Sequence, residues 1–191
     1  MFINYNKTIG LPVLAVKAGQ KLCKVKDFVI DTNSGKFLGI FCIKSGFIFT
    51  SKYFIGEEKI KNFGKNALTI EDEKSLENPY QNETIAPMIK KRIKIKNNNV
   101  LTESGSDLGE VKNFEIDLIS NKLSKIVVSG GIFQDFFRGE IIIPYSQIVS
   151  IGRDAIIVKD AVVKQIEGTQ ETQTKKELSA TPICIKRGVG S

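Results

Sequence analysis

Any chemistry in this chain has to be done without histidine, which is absent from its 191 residues. That excludes Ser-His-Asp and Cys-His nucleophile pairs, imidazole proton shuttling and every His-ligated metal site. The thiols are Cys23, Cys42 and Cys184, an odd number with no CxxC spacing. With no histidine to generate a thiolate, they read as reduced thiols buried in strands or carried on a tail. Asp27, Asp31 and Asp117 fall at expected strand ends or turns, where carboxylates ordinarily accept backbone N–H bonds. Neither a Walker loop nor a GxGxxG phosphate turn occurs. The expectation is therefore no catalytic residue, no cofactor and no metal.

Binding offers more. The formal charge is +7, unevenly spread: residues 1–80 carry 12 Lys+Arg against 8 Asp+Glu, residues 81–99 carry 5 against 1, and residues 100–167 carry 7 against 10. The most basic stretch is Lys90-Lys91-Arg92-Ile93-Lys94-Ile95-Lys96. If extended, it places Arg92, Lys94 and Lys96 on one face and the isoleucines on the other. Two readings follow: an edge strand whose lysines discourage aggregation while its isoleucines pack inward, or an anion-binding stripe for RNA or an acidic partner. The aromatics that stack bases in a nucleic-acid platform are not interleaved here, so RNA is the less favoured reading. A second candidate is the Gly-bounded segment holding Ile132, Phe133, Phe136 and Phe137, with an aromatic counterpart over residues 45–54. These rings either fill a small core or form a patch for a partner or for self-association.

The elements that must position these residues repeat. Leu14–Ile43 lies over Val100–Ser129 at an offset of 86 without a gap, with ten of thirty positions identical. Among them are Gly19/Gly105, Phe28/Phe114, Asp31/Asp117 and Lys36/Lys122. After a two-residue insertion, Ile55 aligns with Ile143 and residues 63–70 with 151–158. The period is that of a small domain, longer than the roughly 20–50 residues of solenoid repeats. Within each copy apolar residues alternate, as in strands with one buried face. Asp31–Gly35 has turn chemistry that predicts a hairpin, and Asn121 replaces Gly35 as the next best residue for left-handed backbone. Ile60-x-x-Phe63-Gly64 and Ile148-x-x-Ile151-Gly152 suggest a short helical turn capped by glycine. Cys23, standing where the second copy has Gly109, suggests an altered turn in the first. Five or six short strands per copy predict an all-β protein of two tandem small barrels, which can pack on each other as a pseudo-dimer.

The order Val13-Leu14, Gly19, Leu22-x-x-Val25-x-Asp27, Ile30-Asp31, Gly35-Lys36, Ile40 and Ile60-x-x-Phe63-Gly64-x-x-Ala67 resembles the PRC-barrel domain. It recurs as Val100-Leu101, Gly105, Leu108-Gly109-x-Val111, Ile116-Asp117, Lys122, Ile126 and Ile148-x-x-Ile151-Gly152-x-Asp154-Ala155. The resemblance implies non-catalytic barrels used for protein–protein contact. It divides the chain into a first barrel over 1–76, a linker over 77–92, a second barrel over 93–166 and a flexible tail over 167–191, whose 182–185 stretch could dock as a strand. The longest early apolar run, Leu11–Val16, is too short for an export signal or a membrane span. The expectation is a cytoplasmic adaptor with a protein partner or a second copy of itself, without membrane insertion, and alternatively an RNA- or ribosome-associated factor.

Overall fold

The computed structural model describes residues 1–46, 50–91, 93–129 and 140–163. The first unit begins with β1 (Phe2–Asn4), the single-turn α1 (Tyr5–Thr8) and β2 (Pro12–Ala15). The hairpin of β3 (Gln20–Ile30) and β4 (Phe37–Ser45) follows, then β5 (Thr50–Gly56), β6 (Ile60–Phe63) and β7 (Leu68–Ile70). A connecting helix, α2 (Ile85–Lys91), leads to the second unit: β8 (Asn99–Thr102), β9 (Asp107–Asp117), β10 (Lys122–Ser129), β11 (Ile141–Pro144), β12 (Ile148–Ile151) and β13 (Ala155–Val158).

The two sheets share one topology. Their strand orders are β5-β4-β3-β2-β7-β6 and β11-β10-β9-β8-β13-β12, so each is an antiparallel meander closed back by a hairpin whose second strand runs parallel to the first. Among the described residues no ladder joins β5 to β6 or β11 to β12, and each sheet stays open there. Ladder partners fix the equivalences. Val13 pairs with Leu68 and Cys23; Val100 pairs with Ile156 and Gly109. Val13, not Leu14, is therefore the counterpart of Val100: the turn after β8 is one residue shorter than the turn after β2, a slip that the gapless alignment passed over.

Local expectations fare differently. Gly35 and Asn121 both adopt left-handed backbone, with φ of 69° and 53°. Asp31 accepts the Asn33 N–H and the Ser34 hydroxyl, and Asp117 accepts the Ile119 N–H and the Ser120 hydroxyl, so both carboxylates hold hairpin tips. Those bonds keep both below the usual carboxylate range. The expected helical turns at Ile60–Phe63 and Ile148–Ile151 are instead strands, and the 3₁₀ turns lie just before them, at Glu57–Lys59 and Tyr145–Gln147. A bulge between Ile60 and Asn62, repeated between Ile148 and Ser150, shifts the strand by one residue. A bulge puts residues three apart on one face and so imitates helical spacing. Cys23 and Gly109 mark no turn either; both lie inside long strands, beside the same bulge opposite β2 and β8.

The units meet about a pseudo-two-fold axis. Lys36 bridges Lys122, its own counterpart. The Phe37 N–H donates to Asn121 C=O at 3.0 Å, and, reciprocally, the Leu123 N–H donates to Gly35 C=O at 2.8 Å. Beneath these bonds Phe28 and Phe114, also counterparts, meet edge to face with ring centroids 5.8 Å apart. Tyr5 stacks on Phe114 at 4.5 Å and meets Phe28 at 5.3 Å. One hydrophobic cluster runs through both units, from Val13, Ile40 and Leu68 to Val100, Ile126 and Ile156. Each aromatic pair adds about 0.5–1.5 kcal/mol beyond its buried area.

Because that core is shared, Phe114→Ala should cost about 3–5 kcal/mol and lower the stability of both units in one calorimetric transition; two separated transitions would show independent cores. Gly35→Ala should cost about 1–3 kcal/mol in urea denaturation, since its Cβ would fall on the Tyr145 ring and its φ is left-handed. Asn121→Gly, at the counterpart position, should cost less than about 1 kcal/mol, since glycine takes positive φ without strain and adds only freedom to the unfolded chain.

Candidate functional site

The described surface holds a cleft of about 750 Å³ between the C-terminal half of β3 and the connecting segment. Lys26, Asp27, Phe28, Val29 and Ile30 line it in an unbroken run from β3; Phe41, Cys42, Ile43 and Lys52 contribute from β4 and β5. The far wall is Pro79, Tyr80, Met88, Ile89, Lys90, Ile93 and Lys94.

The wall helix was not foreseen, although its signals are present. Ile85, Met88 and Ile89 have i, i+3, i+4 spacing, and Asn82 Oδ1 accepts the N–H groups of Thr84 and Ile85. Pro87 sits in the first turn, where no intrahelical donor is needed. These three apolar residues pack on Val29, Phe54, Leu38 and Phe41, the outer face of the first sheet. The isoleucine-lysine alternation hid the helix by suggesting a strand that ran on to Lys96.

The expected extended stripe is corrected accordingly. The chain is helical to Lys91 and turns at Ile95–Asn97, where Asn97 has a φ of 60°. Arg92 lies outside the described residues. Lys94 is exposed and lines the cleft, whereas Lys96 turns to donate to Asn97 Oδ1 at 2.9 Å. The isoleucines do face inward: Ile95 is buried and Ile93 packs against the main core. Lys94 is joined instead by Lys26, Lys52 and Lys90 from other elements, all exposed. None of the four forms an ion pair with a described residue. Ile132, Phe133, Phe136 and Phe137 lie outside the described residues, as do the tail and its 182–185 stretch.

At the base of the cleft, Asp27 occupies mid-strand at a bulge between Val25 and its own position, not the strand end expected of it. Its Oδ1 accepts the Tyr5 hydroxyl at 3.1 Å and the Phe28 N–H at 2.9 Å. Burial pushes its carboxyl above the ordinary value, and those bonds with the fields of Lys94 and Lys26 only partly oppose it. Burial and the neighbouring carboxylate push the Tyr5 hydroxyl up as well. Cys23 and Cys42 are free and buried, and contact with Cys23 together with burial pushes the Cys42 thiol up. Among the described residues no cluster of three His, Cys, Asp or Glu is placed to hold a metal. The arrangement joins a largely apolar floor to a rim of cations that form no ion pair with a described residue, suited to holding an amphipathic anionic segment.

The family model of the PRC-barrel domain matches the chain twice, over residues 1–77 and 92–163. No curated protein matches it. No helix of the described residues is long and apolar enough to cross a membrane.

A carboxyl with a raised value in the fold binds its proton more tightly when folded. Its stabilising effect is therefore full below the ordinary 3.8 and is lost as pH rises through the folded value. Asp27→Asn keeps an oxygen for both donors, so it should be more stable than the parent at pH 7, with the difference shrinking on acidification toward pH 3. Urea midpoints across that range check this; a difference that ignores pH would contradict it.

Proposed function

Because the chain belongs to the PRC-barrel family, both halves of it matching the domain, we propose that it acts without catalysis, as a cytoplasmic protein–protein interaction and assembly module. The observation that carries this reading is the cleft, in which four lysines that form no ion pair with a described residue surround a largely apolar floor. Exposed cations over apolar area form the kind of rim and core that protein interfaces use. Several titratable groups elsewhere have structural work: Asp31 and Asp117 hold hairpin tips, and the Lys17 ammonium bridges Glu71 and Asp72.

The experiment is affinity capture by the full chain at two salt concentrations, with and without ribonuclease. Partners that survive ribonuclease, and fall at least tenfold when Lys26→Glu and Lys94→Glu are combined, support the module. Loss of every partner after ribonuclease would favour the RNA-associated alternative, in which the same lysines meet phosphates and affinity falls steeply with salt. Phe136→Ser with Phe137→Ser tests the aromatic segment alongside: lost association in a folded protein assigns it to the interface, and plain unfolding assigns it to the core.

A further inference from the structure

The pseudo-two-fold shows that the second unit has filled an edge which, among the described residues, no strand fills in the first. On β9, Glu115, Ile116 and Asp117 pair antiparallel with Asn4, Ile3 and Phe2 of β1. The Leu118 N–H donates to Met1 C=O at 2.9 Å. Side chains fasten the segment in place: Asn6 N–H donates to Asn113 Oδ1, Asn6 Nδ2 to Lys112 C=O, and Asn4 Nδ2 to Glu115 Oε1. Rotated onto the first unit, the receiving residues are Val29, Ile30 and Asp31. There β4 takes one side of the strand, and among the described residues no strand takes the other. The chain leading into the second unit is helical at this point, and α2 is anchored on the outer sheet face through Ile85, Met88 and Ile89. The cleft is what remains between that helix and the vacant edge, and it runs along Lys26–Ile30.

We propose that this cleft receives an extended, acidic segment of a partner protein as an added strand along the C-terminal half of β3, in the position that β1 takes on β9. The proposal rests on the interaction-module reading and specifies its partner. Added strands gain affinity from backbone hydrogen bonds and specificity from alternate side chains. Charge selects the occupant: Lys26, Lys52, Lys90 and Lys94 form no ion pair with a described residue, so carboxylates on the incoming strand would meet cations free to pair. The N-terminal segment of a second copy is a poor match, because Met1–Thr8 contains no acidic residue. Asp27 stands where Asn113 accepts a backbone N–H from the β1–α1 segment. Its Oδ1 is taken by Tyr5 and Phe28, and its Oδ2 has no hydrogen-bond partner among the described residues.

The test uses the isotopically labelled full chain and a ten-residue peptide alternating Glu with Val. Controls are the same peptide with Lys for Glu, the Glu peptide with Pro at every second Val, and a ten-nucleotide oligouridine. The Glu–Val peptide should bind with amide shifts centred on Val29–Asp31 and slow hydrogen exchange at that edge. The Lys and Pro peptides should each bind at least tenfold more weakly. Lys26→Glu with Lys94→Glu should weaken the Glu–Val peptide at least tenfold, and both sites are exposed; Lys26→Gln with Lys94→Gln is the second variant should the reversal disturb folding. Equal binding of the Lys or Pro peptide, shifts centred elsewhere, oligouridine binding in place of peptide binding, or no binding at millimolar peptide would each overturn the proposal. If the peptide fails while ribonuclease-resistant partners are still captured, strand addition falls and the module reading stands. If capture fails as well, both fall.

Discussion

Two backbone hydrogen bonds, Phe37 N–H to Asn121 C=O and Leu123 N–H to Gly35 C=O, fix how the rest of the molecule is arranged. Each is the other's image under the pseudo-two-fold. Both start from hairpin tips whose residues must adopt positive φ, one met by glycine and the other by asparagine. With the tips joined, Phe28 and Phe114 are brought together on the axis and Tyr5 closes over them. A barrel of about 75 residues buries a modest core by itself. Here that limit is relieved by letting two small barrels share one interior, so the apolar faces of β3 and β9 are buried against each other.

Much of this was legible in the sequence. The repeat, the hairpins, the left-handed Asn121 and the two-barrel architecture rest on local rules that do not depend on distant contacts. The errors come from places where tertiary structure changes the local period. Ile60-x-x-Phe63 has helical spacing because a bulge adds a residue to a strand. The 90–96 stretch alternates like a strand, yet α2 holds it helical to Lys91 because Ile85, Met88 and Ile89 find an outer sheet face to cover. The cleft could not be read from spacing at all. Its lysines come from β3, β5, α2 and the turn after it, so only the fold makes them neighbours. Of the described cations of the expected stripe, Lys94 lines the cleft and Lys96 does not.

Duplication also explains how the halves share one form and still differ at one strand edge. Each barrel offers the same edge, at Val29–Asp31 and Glu115–Asp117. The chain's own N-terminus occupies the second, and the connecting segment walls the first without pairing to it. The basic character of residues 1–99 and the acidic character of residues 100–167 follow this division. Within one folded body, one unit has that edge filled by β1, and among the described residues no strand fills it in the other.

The pairing of β1 with β9 sets an order on biosynthesis. Phe2, Ile3 and Asn4 are synthesised well before their ladder partners, residues 115–117. At a synthesis rate of about 5–20 residues per second, the segment waits roughly 6–23 s for its strand. Through that interval Phe28 and Tyr5 have no Phe114 to pack against, and the nascent first barrel presents its future interior to water. The nascent chain is therefore most exposed to aggregation and proteolysis while residues 30–115 are being added, and a chaperone acting on it would have most to do in that interval.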